Sequence, residues 1–277
     1  NGKKLKELRE EETNERFDSQ QISLSFSFLT IIVFVAVWWV VAKIVNDPYA
    51  LAGPVSTAKA YYQLFAQSSL RNLFITSIES TLLSIFLGFV LAVAIGIPVG
   101  IFMGRYLVVE YLVDPWINIW YSIPAIAFVP LVMNWAGLTS ISALIVSFLI
   151  AVFSIIINVY TGVKNVSASL VEPAIAFGIS KRALYTKVIL PASTPNIMVG
   201  LRLGITRAIE GVIVAEMVFS VVGLGGMIFD TADKLEMSLT IALVIVISLI
   251  SIALNYLMKY LDHKVVFWKE SSALKRE

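Results

Sequence analysis

The sequence predicts an all-α integral membrane protein with about six transmembrane helices. Hydrophobic residues make up 58% of the 277 residues and charged residues only 14%, whereas soluble domains have about 45–50% and about 25%. Several apolar runs also reach the roughly 20 residues that a helix needs to cross a bilayer. A transmembrane β-barrel would instead show short segments of alternating hydrophobicity, so the continuous runs favour helices.

Six apolar runs are predicted to be the membrane-spanning helices. The first is longer than the core of a signal peptide, about 7–15 residues, so we expect it to be retained. The runs are residues 24–45, 78–104, 112–136, 141–163, 195–222 and 238–261. We therefore expect an N-terminal tail at residues 1–20, a transmembrane domain at residues 21–265 and a C-terminal tail at residues 266–277.

Basic residues are distributed unequally between the two sides that six helices would create. Fifteen Lys and Arg residues fall in the termini and loops of one side, and three fall on the other, namely Lys59, Arg71 and Lys234. An excess of Lys and Arg marks the cytoplasmic side. We therefore expect both tails and the loop of residues 164–194 to be cytoplasmic. Residues 46–77 are expected outside, either with a short amphipathic helix at the interface or as a simple connecting loop.

The composition also excludes several chemistries. The chain has no cysteine, which excludes disulfides, thiolate metal sites and cysteine nucleophiles. Its only histidine, His263, lies towards the C-terminal tail, so a histidine-based metal cluster is excluded too. The Gly-x-x-x-x-Gly-Lys-[Ser/Thr] phosphate loop is absent from the sequence. We therefore expect this chain to bind no cofactor.

The cytoplasmic loop is predicted to contain two short helices joined by a tight turn. Ser169 and Glu172 have the spacing of a capping box at a helix start, and Gly178 can take the positive φ that ends such a helix. Ser180 can cap the second helix, which we expect Pro191 to end. A helix pair of this kind is either a structural elbow or a docking element for a cytoplasmic partner.

The same loop resembles the EAA loop of the permeases of ABC importers. That pattern is a Glu, two small residues, a Gly six positions after the Glu, and a hydrophobic-x-Leu-Pro ending. The residues that match are Glu172, Ala174, Gly178, Leu190 and Pro191, whereas Pro173 replaces the first Ala and Val188 the usual Ile. Residues 96–100, 122–124, 129–131, 200–204, 207–208, 214–216 and 223–228 resemble the branch associated with nitrate, sulfonate and taurine.

The resemblance implies a type I importer permease with a MetI-like core in the inner membrane. It would pair with a second permease copy, expected to be identical, and with two ATPase subunits that bind ATP and Mg. An external solute-binding protein would deliver the solute, and membrane lipid but no nucleic acid would be bound. The resemblance assigns the ATPase contact to Glu172, Ala174, Phe177, Gly178, Lys181, Arg182, Leu184, Leu190 and Pro191.

Four charged residues lie in or beside the predicted fifth helix, namely Arg202, Arg207, Glu210 and Glu216. Charges at bilayer depth cost a few kcal/mol or more and usually face the bundle interior or water. Arg207 and Glu210 are three residues apart and can pair on one helix face, which would be a structural role. Alternatively, the four residues line the translocation path, where Arg202 or Arg207 would favour an anion.

Two other classes of protein compete with an ATP-driven permease. A secondary transporter or channel often contains an internal repeat, and the two halves of this sequence show no convincing one. An intramembrane enzyme needs a catalytic constellation. Glu210 and Glu216 lie about 9 Å apart along a helix and on different faces, which makes a poor carboxylate pair. We therefore predict a transport subunit without catalytic residues, whose solute the sequence does not identify.

Overall fold

The computed structural model describes residue 26, residues 29–219 and residues 222–267. This part of the chain is helical and contains no strand, which confirms the predicted fold class. The tail of residues 1–20 and most of the tail of residues 266–277 lie outside it. The α-helices are α1 Leu29–Val45, α2 Pro54–Ala66, α3 Ser68–Arg105, α4 Leu107–Ser122, α5 Phe128–Ala136, α6 Ser140–Lys164, α7 Ala168–Ala176, α8 Lys181–Leu184, α9 Leu190–Phe219, α10 Leu224–Asp233 and α11 Met237–Val265.

Three of these helices are long and apolar enough to cross a membrane, by length and composition: α3, α6 and α11. They correspond to the predicted runs 78–104, 141–163 and 238–261. The run 195–222 corresponds to α9, a helix of 30 residues, and the first run to the shorter apolar helix α1. The predicted short helix within residues 46–77 is α2, which has Pro54 at its first position, where proline is well tolerated.

The predicted third span, residues 112–136, was wrong as a single helix. It consists of α4 and α5, separated by the 3-10 turn Ala125–Ala127. Ile123 has extended backbone angles, φ −75° and ψ 126°. It precedes Pro124, and a following proline disfavours the helical conformation because its ring crowds the preceding residue. The membrane core therefore contains a broken helix.

Helices α3 and α6 pack closely through a stripe of small residues. The stripe recurs at every fourth position of α3 and is buried: Ser84, Gly88, Ala92, Gly96 and Gly100. A Cβ atom at Gly88 would lie 2.6 Å from Oγ of Ser147, and one at Gly104 would lie 2.7 Å from Cβ of Val163. The contacts advance in the same direction along both helices, so α3 and α6 are parallel. Small residues of this kind let the backbones approach closely.

Helix α9 runs antiparallel to α6 and completes the core. A Cβ atom at Gly200 would lie 2.8 Å from Cβ of Asn158, whereas one at Gly211 would lie 2.9 Å from Cα of Ser147. The start of α9 therefore lies beside the end of α6 and the end of α3. The exposed basic residues Arg105, Lys164, Lys181, Arg182 and Lys187 share this end, which we call the basic end.

A cluster of apolar side chains closes the opposite end of the molecule. It joins α2, the start of α3, α10 and α11 through Leu64, Phe74, Leu224, Met227 and Leu243. Three of these side chains are completely buried. The molecule is therefore a core of α3, α6 and α9 with short helices packed at one end and the predicted EAA loop at the other.

Candidate coupling loop and translocation path

The predicted EAA loop follows the end of α6, and its first helix is α7. Ser167 is the N-cap of α7, and its hydroxyl accepts a hydrogen bond from the backbone N–H of Ser169 at 3.3 Å. The predicted capping box of Ser169 and Glu172 was therefore wrong. Only the N-cap residue has the non-helical backbone that turns its side chain towards the free N–H groups, and Ser169 lies inside the first turn. Pro173 lies inside α7.

The turn after α7 has the predicted geometry. Gly178 has a φ of +73°, its N–H donates to the carbonyl of Ile175 at 2.9 Å, and the N–H of Ile179 donates to Ala174 at 3.3 Å. These bonds satisfy the last carbonyls of α7. Ser180 caps α8 as predicted, since its hydroxyl accepts from the N–H of Ala183 at 3.3 Å.

The second helix of the loop does not end at Pro191, as the sequence predicted. Helix α8 continues through a π-helical segment, Tyr185–Ile189, directly into α9. The N–H of Leu190 donates to the carbonyl of Tyr185, five residues earlier. Pro191 lies in the first turn of α9. The widened π turn just before it accommodates a residue without an N–H. The loop is therefore joined to a core helix without a break.

The nine residues predicted for the partner contact divide into two groups. Ala174, Leu184 and Leu190 are partly buried, and the exposed members are Glu172, Phe177, Gly178, Lys181, Arg182 and Pro191. Helix α7 buries none of its residues in this chain. Phe177, which follows it, is 92% exposed, and Ile175 is 57% exposed. The loop therefore presents apolar side chains beside basic ones at the basic end.

The sequence analysis missed two contacts, one that holds the loop against the end of α3 and one that joins α4 to the end of α6. The guanidinium of Arg105, at the end of α3, lies 4.5 Å from the ring centre of Tyr185 in the π segment. The hydroxyl of Tyr160 donates to Glu110 at 2.8 Å, and Lys164 forms an ion pair with the same carboxylate. The spacing of Tyr160 and Lys164, four residues apart on one helix face, was the available signal for the second contact.

Arg207 and Glu210 form the predicted pair within α9, with 2.9 Å between Nη1 and Oε2. Both side chains are about half exposed, at 47% and 52%. Arg207 also lines a cavity of about 300 Å³. The other lining residues come from the break between α4 and α5, including Ser122 and Pro124, and from α6, including Ser154. A charged side chain, a broken helix and a cavity thus meet midway along the core.

The other two predicted path residues lie elsewhere. Arg202 forms an ion pair with Asp262 of α11. Glu216 is 1% exposed, and its carboxylate accepts a hydrogen bond from the hydroxyl of Thr81 at 2.9 Å and one from the N–H of Gly225 at 3.0 Å. The structure therefore does not bring the four charged residues together, and only Arg207 borders the central cavity.

A helical membrane core with a central cavity that a charged side chain borders, and an exposed helix pair at one end, indicates a membrane-transport subunit. Residues 96–267 match the family of the binding-protein-dependent transport system inner membrane component. This match spans more than half of the chain, and the chain belongs to that family.

Known relatives agree with this assignment. An ABC transporter permease protein of Methanocaldococcus jannaschii is 32% identical over 241 residues, which are 85% of this chain and 89% of the relative. The taurine transport system permease protein TauC of Escherichia coli is 28% identical over 264 residues, 90% of this chain and 91% of TauC.

Solved structures show the same fold. The inward-facing MetNI methionine ABC transporter matches with a TM-score of 0.62 at 16% identity, covering 72% of this chain and 99% of that chain. The predicted MetI-like core and the resemblance to ABC importer permeases are therefore confirmed.

Proposed function

We propose that this chain is the permease subunit of an ATP-driven importer, coupled to separate ATPase subunits through its EAA loop. It forms the translocation path for a small solute that an external binding protein delivers. The observation that carries the proposal is the exposed apolar surface of α7 and Phe177, on a loop continuous with core helix α9.

The exposure of the loop supports a docking role over a structural elbow. An elbow would bury its apolar side chains against its own chain. On α7 Val171 packs partly buried against the core, but no residue is fully buried and Phe177 is 92% exposed. A nine-residue helix is also shorter than the roughly 12–15 residues at which isolated helices become marginal in water. A partner that covers Phe177 and Ile175 would supply the missing apolar contacts. The neighbouring Lys181 and Arg182 would favour an acidic rim on that partner.

The connection between loop and core supports the coupling itself. The π segment passes directly into α9, and Tyr185 holds it against Arg105 at the end of α3. A displacement of α8 by an ATPase would therefore be transmitted to α9, because α8, the π segment and α9 are continuous. Arg207, halfway along α9, would move with it relative to the central cavity. ATP and Mg belong to the ATPase subunits in this scheme.

The central cavity supports a small anion as the solute. Arg207 is a charged side chain at bilayer depth, paired with Glu210 of the same helix, and charged side chains at this depth usually mark solute pathways. The break between α4 and α5 provides non-helical backbone, which is tolerated at this depth only where it is buried or lines a cavity. An arginine fork suits planar or tetrahedral oxyanions, and the relative TauC is a taurine permease by name. A sulfonate is therefore the proposed class of solute.

The exposure of Arg207 and Glu210 supports a dimer. Side chains that are 47% and 52% exposed would be unfavourable against lipid at this depth. A second copy facing this surface of α9 across a water-filled path would remove them from lipid, and we propose a homodimer. The basic end then faces the cytoplasm together with both termini. The binding protein docks at the opposite end, which α2 and α10 close.

The docking role of Phe177 is testable with a matched pair of substitutions. The chain carrying Phe177→Asp and the chain carrying Tyr62→Asp would each be co-expressed with an ATPase subunit and purified in detergent. Tyr62, on α2 at the other end, is 72% exposed, so both changes add a charge at an exposed aromatic position. We expect Phe177→Asp to lose the ATPase and Tyr62→Asp to retain it, with both chains monodisperse.

The opposite result would replace the proposal. If the native chain recovers no ATPase and moves solute by itself in sealed vesicles, the loop is an elbow and the protein a secondary transporter. If both variants retain the ATPase equally, Phe177 does not contact it.

A further inference from the structure

A second cavity, of about 330 Å³, lies between α9 and α11. Most of its lining surface is apolar, but five of its six lining residues carry polar groups: Arg202, Ser251, Ile252, Asn255, Tyr256 and Lys259. It shares no residue with the cavity that Arg207 lines. The proposed function therefore leaves it without a role.

The cavity contains more hydrogen-bond donors than acceptors. One terminal nitrogen of Arg202 pairs with the carboxylate of Asp262. Its Nε is buried and has no hydrogen-bond partner among the described residues. Lys259 takes part in none of the ion pairs found in the described part of the chain. Asp262 thus neutralises one of two positive charges. An anion with several acceptor oxygens would accept hydrogen bonds from the other terminal N–H groups of Arg202 and from the ammonium of Lys259.

The position of the cavity along α11 corresponds to the headgroup level of a bilayer. Its upper lining residues belong to the apolar run, whereas Lys259, Asp262, His263 and Lys264 begin the charged end of the helix. The side chain of Lys264 stacks over the ring of Tyr260 at 4.8 Å. Tyrosine and lysine side chains at such a transition are typical of the membrane interface.

An exposed apolar stripe leads from this level into the membrane. Helix α11 is the least buried of the three long helices, since only 22% of its most apolar stretch is buried against the rest of the described structure. The stripe recurs at helical spacing along one face: Ile245, Leu249, Ile252, Tyr256 and Tyr260, each 38–67% exposed. Ile252 and Tyr256 also line the cavity. The anion site and the surface for a hydrocarbon chain are therefore continuous.

We propose that the cavity between α9 and α11 binds the phosphate headgroup of an anionic phospholipid at the basic end of the protein. Arg202 and Lys259 are the charged contacts, and the acyl chains lie along the stripe of α11. Basic pockets between transmembrane helices recognise lipid headgroups in this way. Free phosphate shares the headgroup chemistry, but it has no acyl chain that could lie along the apolar stripe.

Native mass spectrometry of the full-length chain in detergent tests the site. The chain would be titrated with phosphatidylglycerol, and separately with phosphatidylcholine carrying the same acyl chains. We compare Lys259→Gln with Lys264→Gln, because both remove one positive charge from the same end of α11 but only Lys259 lines the cavity. Neither variant touches the Arg202–Asp262 pair, so the α9–α11 contact stays intact.

We expect one phosphatidylglycerol to bind more tightly than phosphatidylcholine. Lys259→Gln should weaken the phosphatidylglycerol affinity roughly fivefold, as expected for the loss of one basic residue near an anionic headgroup, and Lys264→Gln should leave it unchanged. Equal affinities in the two variants, or equal binding of the two lipids, would overturn the proposal. Complete displacement of the lipid by an equal concentration of inorganic phosphate would assign the cavity to a soluble anion instead.

Discussion

The buried carboxylate of Glu216 provides the sharpest prediction about stability. It joins three helices, because it lies on α9, accepts a hydrogen bond from Thr81 of α3 and accepts another from Gly225 of α10. Thr81 in turn accepts from the N–H of Leu224 at 2.9 Å. The first turn of α10 is thus held against the core by one network of polar groups.

Replacement of Glu216 by alanine leaves two buried donors without an acceptor, the hydroxyl of Thr81 and the N–H of Gly225. Each unsatisfied buried donor costs about 1–3 kcal/mol, so we expect a loss of about 4 kcal/mol. One kcal/mol corresponds to roughly 2–4 °C in Tm for domains of 150–250 residues. The expected decrease in Tm is therefore roughly 8–16 °C. Glu216→Gln keeps one carbonyl oxygen as an acceptor and should lose less than half of this.

The assay is thermal unfolding of the purified chain in detergent, with Glu210→Ala as the matched control. Glu210 lies on the same helix, but its side chain is 52% exposed in an ion pair, and such pairs contribute at most about 1 kcal/mol. Its removal should therefore lower Tm by only a few degrees.

A double-mutant cycle with Thr81→Val tests whether the network acts as a unit. Because the two side chains are in direct contact, the effects of Glu216→Ala and Thr81→Val should not add, with an interaction of about 0.5–3 kcal/mol. A Tm of Glu216→Ala equal to that of the native chain would refute the reasoning, and so would fully additive effects of the two substitutions.

Three further predictions concern helix packing, coupling to the ATPase and the translocation path. Gly100→Ala places a Cβ atom 2.7 Å from Cβ of Val159; we expect a cost of about 1–3 kcal/mol, and an unchanged Tm in detergent would contradict the close helix packing. Gly178→Ala and Gly137→Ala act at φ +73° and +74° with open space around both. Each should cost about 1–3 kcal/mol of backbone strain, and Gly137→Ala the more, because its ψ of −170° is a region that only glycine commonly adopts. Only Gly178→Ala should reduce ATPase co-purification, and equal recovery would exclude a role for the turn. Arg207→Gln should slow sulfonate uptake into vesicles about ten- to hundredfold, the value of a charge-assisted hydrogen bond, with partial rescue by Arg207→Lys; equal uptake in all three chains would remove Arg207 from the path.

The properties that depend on near neighbours could be predicted from the sequence. Composition and run length predicted a helical membrane protein because the bilayer requires long apolar helices. The positive φ of Gly178, the cap of Ser180 and the pair of Arg207 and Glu210 are confirmed. Each of these features involves residues within four positions of one another.

The errors also have local causes. The cap of α7 is Ser167 rather than Ser169, because two serines two positions apart offer the same side chain and only the backbone distinguishes them. Pro191 does not end its helix, because the wider π turn just before it accommodates a residue that has no N–H to donate. The extended conformation before Pro124 divides a run that hydropathy alone shows as continuous.

The sequence by itself determined the class of the protein, the basic character of one of its ends and the turn at Gly178 in the predicted EAA loop. Only the tertiary structure decided which charged residues face a cavity. Thr81 and Glu216 are 135 positions apart, and Arg202 meets Asp262 from another helix. Such contacts depend on the rotation and depth at which packed helices meet, and small residues such as Gly88 and Gly100 set these only once both helices are in place.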